Sequence, residues 1–483
     1  MLLLLRPRKE IIMQDSSLTE KSLQKSVSPI QKISEIAFSD ITKAVLFILA
    51  ATLVICEKFV FGTLLFVVIT SIFLVLPKSN IQSLYPFLLL CAVAMRCYNS
   101  FDTFIVYWWI ALIPIAVLII KLCVTVKSLK SKKALSLGES FYGNLSVAVA
   151  VTLGGIGSIS LSEYFAPMAL YYVFFLGFGM IFFYIIAREA IFSSNENISE
   201  LFCKIMYLVG LFCVLSIAVL YLKEIPSFIE KGSFKVAGVF QWKNNVATFL
   251  MFCLPFPFYY ARRNCLHFFV GFIMFVSLIL TTSRGALVFA PIEFLFCVIY
   301  AIKYNKKNIY TLISSLALGA GAIYLLRLAL IRLNMPDFFD GSTLSLENLS
   351  VFIKENESRT KHISRAFEDF KSSPIFGKGL GNTANTDLYA PKKGALYWYH
   401  MMIPQIIGSL GTLGILAYGH QFVVRTTLIF KKTCPMTLCL GISYLGILLM
   451  SQVNPGEFCP LPYELLTVLI FIILERYAEK EDI

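Results

Sequence analysis

The sequence predicts an all-α polytopic membrane protein, with about 12–14 transmembrane helices and a long extracytoplasmic loop that contains short amphipathic helices. Three observations carry this. Of 483 residues, 58% are apolar and only 15% charged, against about 45–50% and about 25% in a soluble chain. The mean hydropathy is +0.76. Lys and Arg gather in alternate loops between the apolar runs. Such a composition excludes a soluble enzyme, a disordered scaffold and a disulfide-knitted secreted domain.

An apolar run of about 20 residues crosses a bilayer as a helix, and shorter runs do so with thinning or polar flanks. Fourteen runs qualify. The first seven are Lys43–Cys56, Phe59–Leu76, Leu84–Cys97, Phe104–Ile120, Phe141–Leu161, Tyr164–Ala187 and Phe202–Leu222. The others are Val246–Tyr260, Cys265–Thr281, Gly285–Ala301, Ile309–Leu328, Met402–Val424, Met436–Ser451 and Glu464–Leu474. Lys43–Cys56 and Leu84–Cys97 are the short ones, which sets the lower bound of the count.

Basic residues cluster in the tail (Arg6, Arg8, Lys9, Lys21, Lys25, Lys32), then at Lys121–Lys133, Arg262-Arg263, Lys303–Lys307, Arg425–Lys432 and Arg476. The positive-inside rule places all of these on the cytoplasmic side of a multi-pass membrane protein. Residues 1–40 read as a cytoplasmic tail, 41–222 as N-terminal transmembrane helices, 223–475 as a second membrane domain and 476–483 as a cytoplasmic end. Met1–Leu5 is too short for the core of a signal peptide. The net charge of +13 is scattered between apolar runs, so no nucleic-acid partner is expected. Twelve dispersed cysteines with no CxxC pair read as small core residues, and no metal site is expected.

This orientation leaves two longer outer segments, 223–245 and 331–399. A loop of about 70 residues in a tightly connected chain is usually functional or disordered, and the content of the second argues for order. In Ser358–Ser373, Ile363, Ala366, Phe367 and Phe370 recur at helical spacing. At about 100° per residue, Arg359 falls within that apolar stripe and Arg365 roughly opposite. Arg359 then needs an anion, a lipid headgroup or a nearby carboxylate such as Glu355. Pro374–Asn382 follows with glycines at 377, 379 and 381, a spacing that can present successive backbone N–H groups to a phosphate. It lacks the preceding strand and the GK[ST] ending of a nucleotide loop.

His400 stands where the outer loop meets the next span, after Tyr397-Trp398-Tyr399. An imidazole there can take a proton from a hydroxyl, or serve structurally. Behind it, Gly408, Gly411 and Gly414 form a small face suited to a closely packed helix. Arg284, in Thr281-Thr282-Ser283-Arg284-Gly285, lies on the outer side, where basic residues are disfavoured. Gly238–Asn245, with Phe240, Trp242, Lys243 and Asn244, opens a helix from the same side. It reads equally as an anion or sugar site and as a tryptophan-anchored interface. Glu293, mid-span after Pro291, is either protonated or paired with another span.

Together these pieces resemble the O-antigen ligase and polysaccharide polymerase superfamily of bacterial membrane glycosyltransferases. GVFQWKNN is similar to its G-x-F-x-x-K/P-N opening and TTSRGA to its S-R-G/T-A turn. Arg359 followed by ISRAF and SPIFGKGLG resembles its arginine, amphipathic helix and P-hydrophobic-G-x-G. His400, Gln405, Gly411 and Gly414 resemble H-N-x-x-L-Q followed by G-x-x-G, with Met401 and Ser409 departing from the asparagine and acidic residue found there. The resemblance covers about Val236 to Gly419 and makes 223–475 an O-antigen ligase-like domain.

It implies transfer of an undecaprenyl-diphosphate-linked glycan to an acceptor hydroxyl of a glycan, lipid or protein, on the extracytoplasmic face and with inversion. Arg284 and Arg359 would stabilise the diphosphate leaving group, with Lys243, Asn244, Arg365, Gly377 and Gly379 binding substrate and His400 orienting or deprotonating the acceptor. The activated donor implies neither a metal nor another cofactor. A repeat-unit polymerase of the same family uses the same donor chemistry. A transporter or flippase is the reading from another class, but no internal repeat is evident and the polar features gather at the outer face.

Overall fold

The structure is a computed structural model, and it describes residues 29–76, 81–95, 107–131, 137–159, 168–194, 196–231, 243–332, 357–380, 399–454, 456–458 and 460–479. The described part of each of the fourteen apolar runs coincides with helix, and no strand occurs among the described residues. The protein is an all-α polytopic membrane protein.

The first half contains α1 (Pro29–Ala37), α2 (Asp40–Ile55), α3 (Phe59–Val75), α4 (Leu84–Ala94), α5 (Leu112–Ser131) and α6 (Glu139–Ile159). Then come α7 (Met168–Phe174), a π turn at Phe175–Gly179, α8 (Met180–Ser193) and α9 (Ile198–Lys231). The second half contains α10 (Lys243–Cys253), α11 (Pro255–Ala261), α12 (Leu266–Leu280), α13 (Arg284–Tyr304) and α14 (Asn308–Arg332). After α15 (Glu357–Ser372) come α16 (Met402–Lys431), α17 (Pro435–Ser451) and α18 (Leu465–Glu479). Among the described residues, five stretches are long and apolar enough by themselves to cross a membrane: Tyr172–Ser193, Ile198–Pro226, Arg284–Tyr304, Asn308–Arg332 and Met402–Lys431.

Local sequence explains the starts. Ser39 caps α2 by accepting from the Thr42 N–H, and prolines at 255 and 435 begin α11 and α17, where no intrahelical donor is needed. Two boundaries differ from expectation. Lys121, Lys127 and Lys130 stand on α5, not in a loop, because lysine is a good helix former. Helix α9 continues nine residues past Leu222, through Pro226, which removes one backbone donor without ending the helix.

Hydrogen bonds sort the helix ends into two groups. At one end, Lys223 Nζ meets Glu57 at 2.8 Å, the Tyr221 hydroxyl donates to the Leu280 carbonyl at 2.6 Å, and the Tyr463 hydroxyl donates to the Asn245 carbonyl at 2.6 Å. At the other, Lys204 meets Asp40 at 2.8 Å, the Tyr259 hydroxyl donates to Glu200 at 2.9 Å, and the Tyr300 hydroxyl donates to the Pro435 carbonyl at 3.0 Å. The second end carries the basic turns with Arg262, Arg263, Lys303, Lys306 and Lys307.

Buried polar groups among the described residues include Glu475 and Glu293. Glu475 on α18 accepts from the Ser140 N–H and hydroxyl at 2.7 Å each, from the Tyr184 hydroxyl at 2.7 Å, and pairs with Arg188. It thereby caps the start of α6 and ties it to α8 and α18. Glu293 is fully buried on α13, and neither carboxylate oxygen has a hydrogen-bond partner among the described residues, so the pairing left open by the sequence is not found there. A Cβ at Gly446 on α17 would run into that carboxylate.

Removing one member of a buried ion pair strands the other at a cost of about 3–5 kcal/mol. Glu475→Ala is therefore expected to lower the thermal midpoint of the detergent-solubilised protein markedly. An unchanged midpoint would show that this network does not hold the three helices together.

Candidate active site

Helix α16 is broken at Gly411, whose backbone sits at φ +62°, ψ −152°. A break in a helix strands carbonyls on one side and N–H groups on the other, which a membrane interior does not tolerate. The segment after α15 supplies the partners. Lys378 and Gly379 donate their N–H groups to the carbonyls of Gly408 and Ser409, both at 2.9 Å. Thr412 and Leu413 donate theirs to Pro374 and Ile375 at 2.8 and 3.1 Å. The Thr412 hydroxyl adds a bond to the Pro374 carbonyl at 2.9 Å.

Glycine is required where these two backbones meet. Gly377 and Gly411 have φ of +67° and +62°. A Cβ on Gly377 would run into the Ser409 carbonyl carbon, and one on Gly411 would lie 2.7 Å from the backbone of Gly377 and Ile375.

This geometry corrects two expectations. The N–H groups of Gly377, Lys378 and Gly379 are all engaged within the protein, the first by the Ser373 carbonyl at 2.9 Å, so the glycine loop is a splint for α16 and not a phosphate cradle. Nor does the Gly408–Gly411 face receive a neighbouring helix. Gly408 faces the ring of Tyr399, Gly411 faces the splint, and Gly414 lies against Leu410 of its own bent helix. Helix α6 approaches α16 instead through its own glycines, Gly143 against Gln421 and Gly154 against Leu410.

Helix α15 buries polar residues beside its apolar stripe, of which Ile363 and Phe370 are half-buried. His362, Ala366 and Asp369 are the buried residues, 4%, 1% and 3% exposed, while Phe367 of the apolar stripe is 50% exposed. The buried polar groups have partners that outweigh simple amphipathicity. Asp369 accepts from the Tyr399 hydroxyl and pairs with Arg365 at 3.2 Å. Arg365 therefore borders the buried face instead of pointing away from it, and it also reaches Glu368 at 3.6 Å. The His362 ring meets His400 edge-on, centroids 5.6 Å apart. Arg359 lies in the first turn of α15, and its side chain falls outside the described residues, as do Gly238–Trp242, Tyr397 and Trp398.

His400 is exposed and has φ +54°, a left-handed backbone that costs a side-chain-bearing residue about 1–2 kcal/mol. Tyr399 before it is buried and donates its N–H to Gln405 Oε1 at 2.9 Å, and Gln405 in turn donates to the Ser409 hydroxyl at 2.8 Å. Burial, and then the Asp369 carboxylate, push the Tyr399 phenol above its ordinary range.

The second cluster joins residues far apart in the chain. Ser283, the fully buried residue before α13, donates its hydroxyl to Asn244 Oδ1 at 2.7 Å. This draws together the N-termini of α10 and α13, whose first residues are Lys243 and Arg284. Arg284 is exposed and Lys243 half-buried. Two helix N-termini and two basic side chains make a place suited to an anion. Asn454 reaches Asn245 at 3.4 Å, and its near neighbour Gln452 approaches the sulfur of Met402 at 4.0 Å, two residues past His400. The structure thus brings Lys243, Asn244 and Arg284 together and sets the start of α16 at the same end of the bundle.

Three participants were not selected from the sequence: His362, Asp369 and Tyr399. Asp369 stands four residues after Arg365, a readable helical ion pair, but no spacing signals that Asp369 meets Tyr399.

Gly377→Ala and Gly411→Ala are expected to abolish recovery of folded protein, because each combines a left-handed backbone with a backbone collision. Gly419→Ala, where a Cβ meets nothing within 4 Å, should be neutral within about 0.5 kcal/mol. Size-exclusion profiles of the three variants check this, and a well-behaved Gly411→Ala protein would refute the splint. The raised Tyr399 phenol favours the neutral, folded form. Its contribution is full below its ordinary value of 10.0 and is lost as pH rises toward the raised one. Stability of Tyr399→Phe should accordingly fall less steeply above that pH than wild type, as followed by thermal melts.

Residues 269–419 match the family model described as O-antigen ligase. No curated protein matches the chain. The matched stretch contains Arg284, α15, the splint, His400 and the break in α16.

Proposed function

We propose that the chain, which matches the O-antigen ligase model over residues 269–419, is a membrane enzyme of surface-polysaccharide biosynthesis that transfers a glycan from an undecaprenyl-diphosphate carrier to an acceptor hydroxyl. The observation that carries this reading is the Asn244–Ser283 bond, which joins two helix N-termini carrying Lys243 and Arg284 at the end of the bundle where His400 lies.

As the glycosidic bond breaks, charge accumulates on the departing diphosphate. Fixed cations and helix dipoles that meet that charge stabilise the transition state more than the ground state. Arg284 and Lys243 are assigned this role, joined by Arg359 through its place in the family pattern. His400 takes the proton of the acceptor hydroxyl as its oxygen attacks the anomeric carbon from the side opposite the diphosphate, which inverts that centre. The basic turns at the opposite end of the bundle support placing this chemistry on the extracytoplasmic face of the inner membrane.

In a strain lacking the chain, His400→Ala and Arg284→Ala at wild-type membrane levels are expected to leave carrier-linked glycan accumulated and surface glycan absent. Loss of a general base costs about 10²–10⁴ in rate and loss of a transition-state donor about 10²–10³. Full surface glycan with both variants would refute the assignment and favour a transporter. A ladder collapsed to single repeats would identify a polymerase, and an intact carrier-linked ladder that never reaches its final acceptor would identify a ligase.

A further inference from the structure

We propose that Asp369 is a positioning residue for the transfer reaction, acting through the phenol of Tyr399 to hold His400 in register with the acceptor. This rests on His400 being the group that takes the acceptor proton.

The backbone supplies the reason. A left-handed residue with a side chain persists only where its neighbours over-determine it, and His400 is such a residue, exposed at the edge of the segment. What fixes it is the residue before. Tyr399 is gripped at three points: its hydroxyl by Asp369 of α15, its N–H by Gln405 at 2.9 Å, and its ring by the close approach of Gly408. Gln405 is fixed through Ser409 at 2.8 Å, beside the backbone break. On the far side, the Gln405 N–H donates to the Met401 carbonyl at 3.0 Å as α16 begins.

Tyr399 and Met401 are thus both held, and Tyr399 is clamped between α16, through Gln405 and Gly408, and α15. The hold of α15 comes from the Asp369 carboxylate, oriented by Arg365 at 3.2 Å. Asp369 and His362 lie seven residues apart on one face, so the same helix that clamps Tyr399 also walls the His400 ring, at 5.6 Å between centroids. The position of α15 is itself fixed to α16 by the splint that follows it.

Asp369 is bonded to Tyr399 and Arg365, whereas the cations assigned to the donor at the joined helix N-termini are Lys243 and Arg284, so its loss should affect turnover and leave donor binding alone. A misplacement of about 1 Å costs about a hundredfold in rate. The test uses full-length protein in membranes of a strain lacking the chain, which supply the acceptor, with carrier-linked glycan extracted from that strain added over a range of concentrations. Tyr399→Phe and Asp369→Leu are expected to lower kcat by about ten- to a hundredfold, with donor KM within about twofold of wild type. Asp369→Asn, whose amide oxygen still accepts from the phenol, should have a kcat several-fold above that of Asp369→Leu, which a purely structural role would not require.

Tyr399→Phe removes a single oxygen and decides the matter if Asp369→Leu does not fold. Wild-type kcat in Tyr399→Phe, or a donor KM that rises in step with the loss of kcat, overturns the proposal. His400→Ala in the same assay separates the two levels. If it turns over normally, the reading of His400 fails; if it is inactive while Tyr399→Phe is normal, only the role of Asp369 fails.

Discussion

The break in α16 at Gly411 is the constraint on which the described site depends. In a lipid interior, backbone groups freed from a helix must find partners within the protein, and here they find them in the carbonyls and N–H groups of Pro374–Gly379. The repair has a consequence beyond backbone satisfaction. It anchors the outer helix α15 to the transmembrane helix that begins beside His400, so that a segment expected to be a surface loop becomes part of the rigid frame. Glycine at 377 and 411 is dictated by that contact, since both need left-handed backbone and neither has room for a Cβ.

Once α15 is fixed in this way, its polar residues can be buried at little cost. Asp369 finds a phenol and a guanidinium, and His362 finds a second imidazole ring. A carboxylate that is both hydrogen-bonded and ion-paired escapes most of the desolvation penalty that would otherwise expel it. Of the apolar residues of the same segment, Ala366 is buried, Ile363 and Phe370 are half-buried, and Phe367, Ile375 and Phe376 are exposed at the side of the helix and splint. In a protein surrounded by lipid and headgroups that exposure is stable, because outward apolar surface need not face water.

The two clusters of the site are joined by chain segments of opposite character. Asn244 and Ser283 meet directly, whereas His400 is related to them through Met402, Gln452, Asn454 and Asn245. The helix ends that carry them all belong to one end of the bundle, and the arginine- and lysine-rich turns belong to the other. This separation sets the candidate site at one interface and the basic turns at the other.

Sequence by itself determined the class of the protein. The described part of each of the fourteen apolar runs coincides with helix, because hydropathy and length are properties of a segment and need no partner to be read. It also singled out Lys243, Asn244, Arg284 and His400, since charged or amide groups beside apolar runs stand out individually. What it misjudged depends on contacts between distant segments. Periodicity found the apolar stripe of α15, but periodicity counts apolar residues and cannot see that Tyr399 and His400 meet Asp369 and His362. The glycine spacing after α15 suggested an anion cradle, yet whether an N–H is available is decided by what lies opposite it, and here the broken helix lies opposite. Tertiary structure alone decided the use of these groups, because a hydrogen bond is satisfied in space and not along the chain.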